Sequence, residues 1–192
     1  MQETLKNKTQ DGVWFEILKT KDINIENYSK GIEIELRGHY LNIKEKIKID
    51  FVHGDVITPS ANKYEYSALF SNKNIPNQIY PFESIFSEKL QAFVFLGDKN
   101  TRIKDLYDLY LIIYFYENKL DKNNLISAIN KTFTKRKTKM EINEIISKLK
   151  ILKLNDNHKI LWDRYCKNVD FSLTLEYQSV VQNVIDFLEI LI

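Results

Sequence analysis

A chain of 192 residues with 44% hydrophobic and 12% aromatic content is long enough for one domain with a real core and too apolar to stay disordered. Its 28 basic and 26 acidic residues nearly cancel, which excludes attraction to polyanions through a strong overall field and leaves that task to local patches.

The amino terminus, MQETLKNKTQDG, is polar and carries no apolar signal stretch. Val13, Phe15 and Ile17 then alternate with Trp14, Glu16 and Leu18, the two-residue period of a strand. Ile32, Ile34 and Leu36 alternate with Glu33, Glu35 and Arg37. Ile47, Ile49 and Phe51 do so with Lys46, Lys48 and Asp50 before His53-Gly54-Asp55 turns the chain. From Tyr80-Pro81 the period becomes helical: Pro81 suits a first turn, Ile85, Phe86, Phe93 and Leu96 share one face, and Gly97 ends the helix. Thr101 is the expected cap of the next helix, apolar nearly all round through Leu106, Leu109 and Ile113 and therefore surrounded by others. Its apolar run, Leu109 to Tyr116, is too short to cross a bilayer. Further helices are expected at Leu125 to Phe133, Ile142 to Leu154, His158 to Cys166 and Leu175 to Leu191. Cys166 is the single cysteine, so no internal disulfide forms, and it makes no zinc spacing with His39, His53 and His158. A reducing, cytoplasmic setting fits. The pattern predicts an α+β fold, a mainly antiparallel sheet over 1–79 followed by a helical bundle over 80–192, packed as one unit.

Some residues break these patterns. Lys89 falls inside an apolar stripe, with Ile85 and Phe86 before it and Ala92 and Phe93 after it. An unpaired buried ammonium is costly, so Lys89 pairs with an anion, snorkels to an edge, or faces a cleft where phosphate supplies the charge. Asp105 and Asp108, three apart, share a helix face. They can hold Mg²⁺, orient Lys89 or act as a base, or simply satisfy the helix dipole. Asp50 projects from the polar face of the third strand, and Asp55 reads as a turn residue. Lys131, Lys135, Arg136, Lys137 and Lys139 form a basic run at a helix end, favoured there by the dipole and also available to RNA phosphates, with Phe133 a stacking surface if exposed.

Taken in order, IKIDFVHGDVITP, YPFESIFSEKLQAFVFLG and NTRIKDLYDLYLI resemble the diagnostic stretch of the AbiEii/AbiGii family of nucleotidyltransferase toxins, best between Ile47 and Ile113. The resemblance implies a partial nucleotidyltransferase-like sheet in which Asp50 is a metal-binding carboxylate. It implies that Lys89 is directed at nucleotide phosphates, with Arg102 and Lys104 beside it, and that Asp105 or Asp108 completes the active site. It further implies Mg²⁺-dependent transfer of a nucleoside monophosphate from a nucleoside triphosphate to RNA, most naturally tRNA, restrained by an antitoxin. In the family a Gly-Ser turn and an Asp-x-Asp pair lie upstream. This chain contains no Gly-Ser and no early Asp-x-Asp, so it is expected to be cut short and inactive or weak alone. The other reading is a non-catalytic remnant that binds RNA or an antitoxin.

Overall fold

A computed structural model describes residues 12–25, 29–69, 72–169 and 175–192; the polar amino-terminal stretch lies outside them. The protein is mixed α+β, antiparallel strands followed by helices. Two compact units emerge, Met1–Asp55 and Val56–Ile192.

The first unit is a three-stranded antiparallel meander, β1 (Trp14–Ile25), β2 (Ser29–Tyr40) and β3 (Ile43–His53), in that spatial order. The second and third expected strands are the middles of longer ones, and the first is the start of β1, which runs on to Ile25. Register explains the alternation: Ile34 lies opposite Ile49 and Leu36 opposite Ile47, so the β-branched and leucyl side chains meet on one face while Glu33, Glu35, Lys46 and Lys48 share the other. Lys46 and Lys48 reach diagonally to Glu35 and Glu33 at 3.5 and 3.7 Å, exposed pairs of small energetic weight. A register shift between Ile17 and Lys19 marks a bulge in β1. Gly31 is required by close approach, because a Cβ there would stand 2.5 Å from the Phe51 carbonyl oxygen. Ile34 and Leu36 are buried, whereas every residue of β3 is exposed.

In the second unit a short hairpin, β4 (Asn62–Ser67) and β5 (Asn74–Ile79), precedes the helices. The sequence pattern does not reveal this hairpin, because Pro76 removes a ladder donor from β5 and both strands are exposed throughout. Among the described residues there are six α-helices: α1 (Phe82–Leu96), α2 (Ile103–Tyr116), α3 (Lys122–Lys135), α4 (Ile142–Leu152), α5 (Asp156–Asn168) and α6 (Tyr177–Glu189). Their starts have local causes. Asp121 accepts from the Asn124 amide and Asn155 from the His158 amide, while Glu141 and Glu144 cap α4 reciprocally. Thr101 caps nothing; α2 starts at Ile103 after Arg102. One contiguous core joins all six helices through residues such as Phe86, Leu90, Leu109, Ile129, Leu149 and Ile185, each fully buried. Helix α1 packs on α2 and α3, and α6 packs on α2, α4 and α5. No helix among the described residues is long and apolar enough to cross a membrane.

Candidate functional site

Helix α1 buries Phe86, Leu90 and Phe93 completely. Lys89 stands at the rim of this stripe, its side chain 24% exposed. Its head meets the first two turns of α2. There Asn100, itself buried, bends the chain by accepting from the Arg102 amide at 2.7 Å, an Asx turn two residues long. Helix α2 then presents Asp105 in its first turn, where the exposed amide dipoles favour a carboxylate, and Asp108 three residues later on an adjoining face.

Lys89 Nζ donates to Asp105 Oδ1 at 3.1 Å and to Asp108 Oδ2 at 2.5 Å. The other oxygen of Asp105 lies 3.0 Å from Arg102 Nε, an ion pair that lacks hydrogen-bond alignment. Asp105 is thus closed in between two cations with 7% of its side chain exposed, while Asp108 keeps 24% and Arg102 55%. Accessibility divides the roles: Asp105 is sealed, and Lys89 and Asp108 can be reached from solvent. Burial pulls the Lys89 pKa down, but the hydrogen bond to Asp108 and the charges of Asp105 and Asp108 outweigh it, so the pKa stands above the ordinary lysine value. At neutral pH this group is an ammonium. Burial first, and then the charge of Asp108, raise the Tyr165 phenol above its usual value, which puts Tyr165 within the field of the site. Its ring centroid is 5.9 Å from that of Tyr107.

A second polar network fixes the α1 turn that carries Lys89. Glu88 accepts from the Tyr80 hydroxyl, and its Oε2 lies 3.3 Å from Arg136 Nη2. Arg136 Nη1 also donates to Gln91 Oε1 at 3.1 Å, and Gln91 donates on to Thr138 Oγ1 at 2.7 Å. These partners were not apparent from sequence. The available signal was that α1 carries Glu88 and Gln91 three apart beside its apolar stripe, which demands donors from another element.

Of the residues singled out by sequence, Lys89, Arg102, Asp105 and Asp108 come together. Lys104 is exposed. Asp50 is exposed on β3 and belongs to the first unit, whereas the other four belong to the second. Within the basic run, Lys131, Lys135, Lys137 and Lys139 are exposed, but Arg136 is buried in the Glu88 network. Phe133 offers no stacking surface: it is 1% exposed, since Leu125, Ile129 and Phe133 follow at four-residue spacing on the core face of α3. Among the described residues no group of three or more His, Cys, Asp or Glu is arranged to take a metal ion. The two carboxylates beside Lys89 are already neutralised by an ammonium at bonding distance, which would repel a divalent cation. These residues do not fit Mg²⁺ as they stand.

The family model for the nucleotidyl transferase AbiEii toxin of type IV toxin–antitoxin systems matches residues 1–186. Two crystal structures are similar at low identity. A Helicobacter pylori protein assigned as a nucleotidyltransferase shares 13% identity with a TM-score of 0.47, over 92% of this chain and 66% of that one. JHP933 from H. pylori shares 11% identity with a TM-score of 0.46, over 92% of this chain and 64% of that one. The chain therefore spans just under two thirds of the length of either. No curated protein matches it.

Proposed function

The chain belongs to the AbiEii nucleotidyl transferase toxin family, and from that premise we propose that Lys89 and Asp108 serve the transfer of a nucleoside monophosphate from a nucleoside triphosphate to an RNA acceptor such as tRNA. The observation that carries this reading is a solvent-reachable ammonium, charged at neutral pH, held between two carboxylates at the rim of an apolar helix. Lys89 would exchange Asp108 for a phosphate oxygen, drawing the triphosphate to the mouth of α2. The acceptor hydroxyl attacks the α-phosphorus, forming the new P–O bond as the bond to pyrophosphate breaks. The hydroxyl proton passes to Asp108, the more open carboxylate, while Asp105, gripped by Lys89 and Arg102, keeps the lysine aimed. A divalent ion supplies charge neutralisation in this class of reaction. Among the described residues the donors beside Lys89 do not form its cage. Acting on RNA in the cytoplasm, such an enzyme would arrest growth during infection unless an antitoxin restrained it.

The test is incubation of the purified chain with each labelled triphosphate, Mg²⁺ and total tRNA. Transfer by the parent is expected to be weak, since the sequence holds no Gly-Ser and no early Asp-x-Asp, and the label that does reach RNA should fall by at least about a hundredfold in Asp108→Asn, with a comparable loss in Lys89→Ala. Transfer that survives both substitutions sinks the assignment.

Four exposed lysines around the end of α3 favour a second reading, a non-catalytic module that binds RNA. Neutralising Lys131, Lys135 and Lys139 together should then flatten the salt dependence of RNA binding by about 0.7 in logarithmic slope for each phosphate no longer neutralised, in a protein that transfers no nucleotide.

A further inference from the structure

The solvent face of α2 carries a feature that phosphate chemistry does not use. Tyr114 and Phe115 are 68% and 62% exposed, although the helix already has its core contacts in Leu106, Leu109, Ile112 and Ile113. Their rings meet edge to face at 4.9 Å, and Tyr114 stacks on Tyr110 at 5.9 Å. Phe115 is also 6.4 Å from Tyr116, over whose ring Lys119 Nζ sits at 5.4 Å. Two adjacent aromatics that pack on neighbouring rings of their own helix and still stay this exposed offer a surface for a ligand with flat apolar faces.

Position along the helix ties this surface to the site. Phe115 follows Asp108 by seven residues, two turns less about 20° at 3.6 residues per turn, so the two share a stripe and stand about 10 Å apart along the axis. Half-buried Leu111 lies between them, and exposed Lys104 sits one turn before Asp108 on the same stripe. A strand whose hydroxyl reaches Asp108 would lay its neighbouring bases along Leu111 towards Phe115 and Tyr114, with Lys104 and Lys119 near its phosphates. Bases stack on aromatic rings without regard to sequence, and flanking cations add the backbone attraction.

We infer that Tyr114 and Phe115 form a stacking platform for unpaired bases of a single-stranded RNA acceptor. This rests on the nucleotidyl-transfer reading for its direction, but it concerns binding and is tested without triphosphate.

The experiment is anisotropy of a short, unstructured, fluorescein-labelled RNA titrated with the full chain at several salt concentrations. Replacing both rings, Tyr114→Ala with Phe115→Ala, should weaken binding about tenfold or more without changing the salt slope. Replacing Lys104 and Lys119 by alanine should lower that slope by about 0.7 for each phosphate left without its cation. Tyr114→Trp with Phe115→Trp should keep parental affinity, and its added tryptophan emission should be quenched by RNA. Unchanged affinity in the double-alanine protein, with circular dichroism intact, overturns the inference and leaves the rings to a protein partner. A parent chain that binds no RNA overturns it as well. A Lys89→Ala protein that loses transfer but still binds the RNA with parental affinity would support the platform separately from the catalytic assignment.

Discussion

Lys89 is held by attraction that outweighs the loss of its water shell, and both partners must be present for that balance to hold. Lys89→Met removes the ammonium and leaves Asp105 enclosed beside Arg102 alone, so unfolding free energy should fall by about 2 kcal/mol. In a chain of this size that lowers the thermal midpoint by about 5 °C. Adding Asp105→Leu should restore most of the loss, because an apolar pair of similar volume replaces a buried charge with no counterpart. Calorimetry on the two variants checks this, and a double variant weaker than the single one would refute it. The oddity of Lys89 was legible in sequence because its neighbours at three and four residues are apolar. Its partners were legible as a pair on one helix face. What stayed hidden was the inward turn of Arg136, since a run of lysines around it masks a residue whose acceptors, Glu88 and Gln91, lie on a distant helix.

His158 is the other residue whose charge state matters. It is fully buried, and burial pushes its imidazole below the ordinary value, with the Gly97 carbonyl and the charge of Asp98 pulling partly back. The Tyr177 hydroxyl donates to the Leu152 carbonyl, so the His158 Nδ1 atom 3.1 Å away must be the donor to that hydroxyl. The lowered value leaves the ring neutral at neutral pH, and the hydrogen-bond geometry then places its one proton on Nδ1. The unfolded chain binds a proton more readily than the folded one, so stability is full above about pH 6.5 and falls as pH drops through that value towards the lower folded pKa. Denaturant melts between neutral and mildly acidic pH should show this slope, and His158→Phe should flatten it. An equal slope in both proteins would assign the effect to other groups.

At the level of elements, turn geometry contradicts residue identity in two places. Helix α3 ends in a Schellman motif: the Thr138 amide bonds to the Phe133 carbonyl at 2.8 Å and the Lys137 amide to the Thr134 carbonyl at 3.1 Å. The left-handed position this requires is occupied by Lys137, φ 55°, where glycine is favoured. The two-residue turn between β2 and β3 likewise places Leu41 at φ 50°, the position where a hairpin of this kind prefers glycine. Lys137→Gly and Leu41→Gly should each raise stability by about 1 kcal/mol, read as a higher denaturant midpoint. No gain in either would mean that unfolded-state entropy cancels the strain. Such sites explain why the helices and the first three strands were legible in the sequence while their joints were not. Periodicity reports which face is buried, whereas a turn is set by two or three backbone angles that leucine and lysine do not announce.

On the scale of the whole chain, the two units differ in what holds them. Every member of the large buried cluster, from Phe86 to Leu191, lies within Val56–Ile192. In Met1–Asp55, β3 is exposed along its full length, including Ile47, Ile49 and Phe51. A core that closes within one segment makes that segment an independent cooperative unit, because few of its apolar contacts depend on residues elsewhere. The fragment 56–192 should therefore express as a helical protein with a single thermal transition close to that of the full chain, and should keep the Lys89, Asp105 and Asp108 cluster. A three-stranded meander with an open, isoleucine-rich edge strand lacks that closure and is a natural seed for association between chains. Placing lysine at Ile49 in the full protein should raise solubility and leave the melting of the helical unit unchanged. Light scattering and calorimetry on the fragment and on Ile49→Lys decide the matter together. A fragment with no cooperative transition would mean that the helices need the sheet after all, and that the chain folds as one.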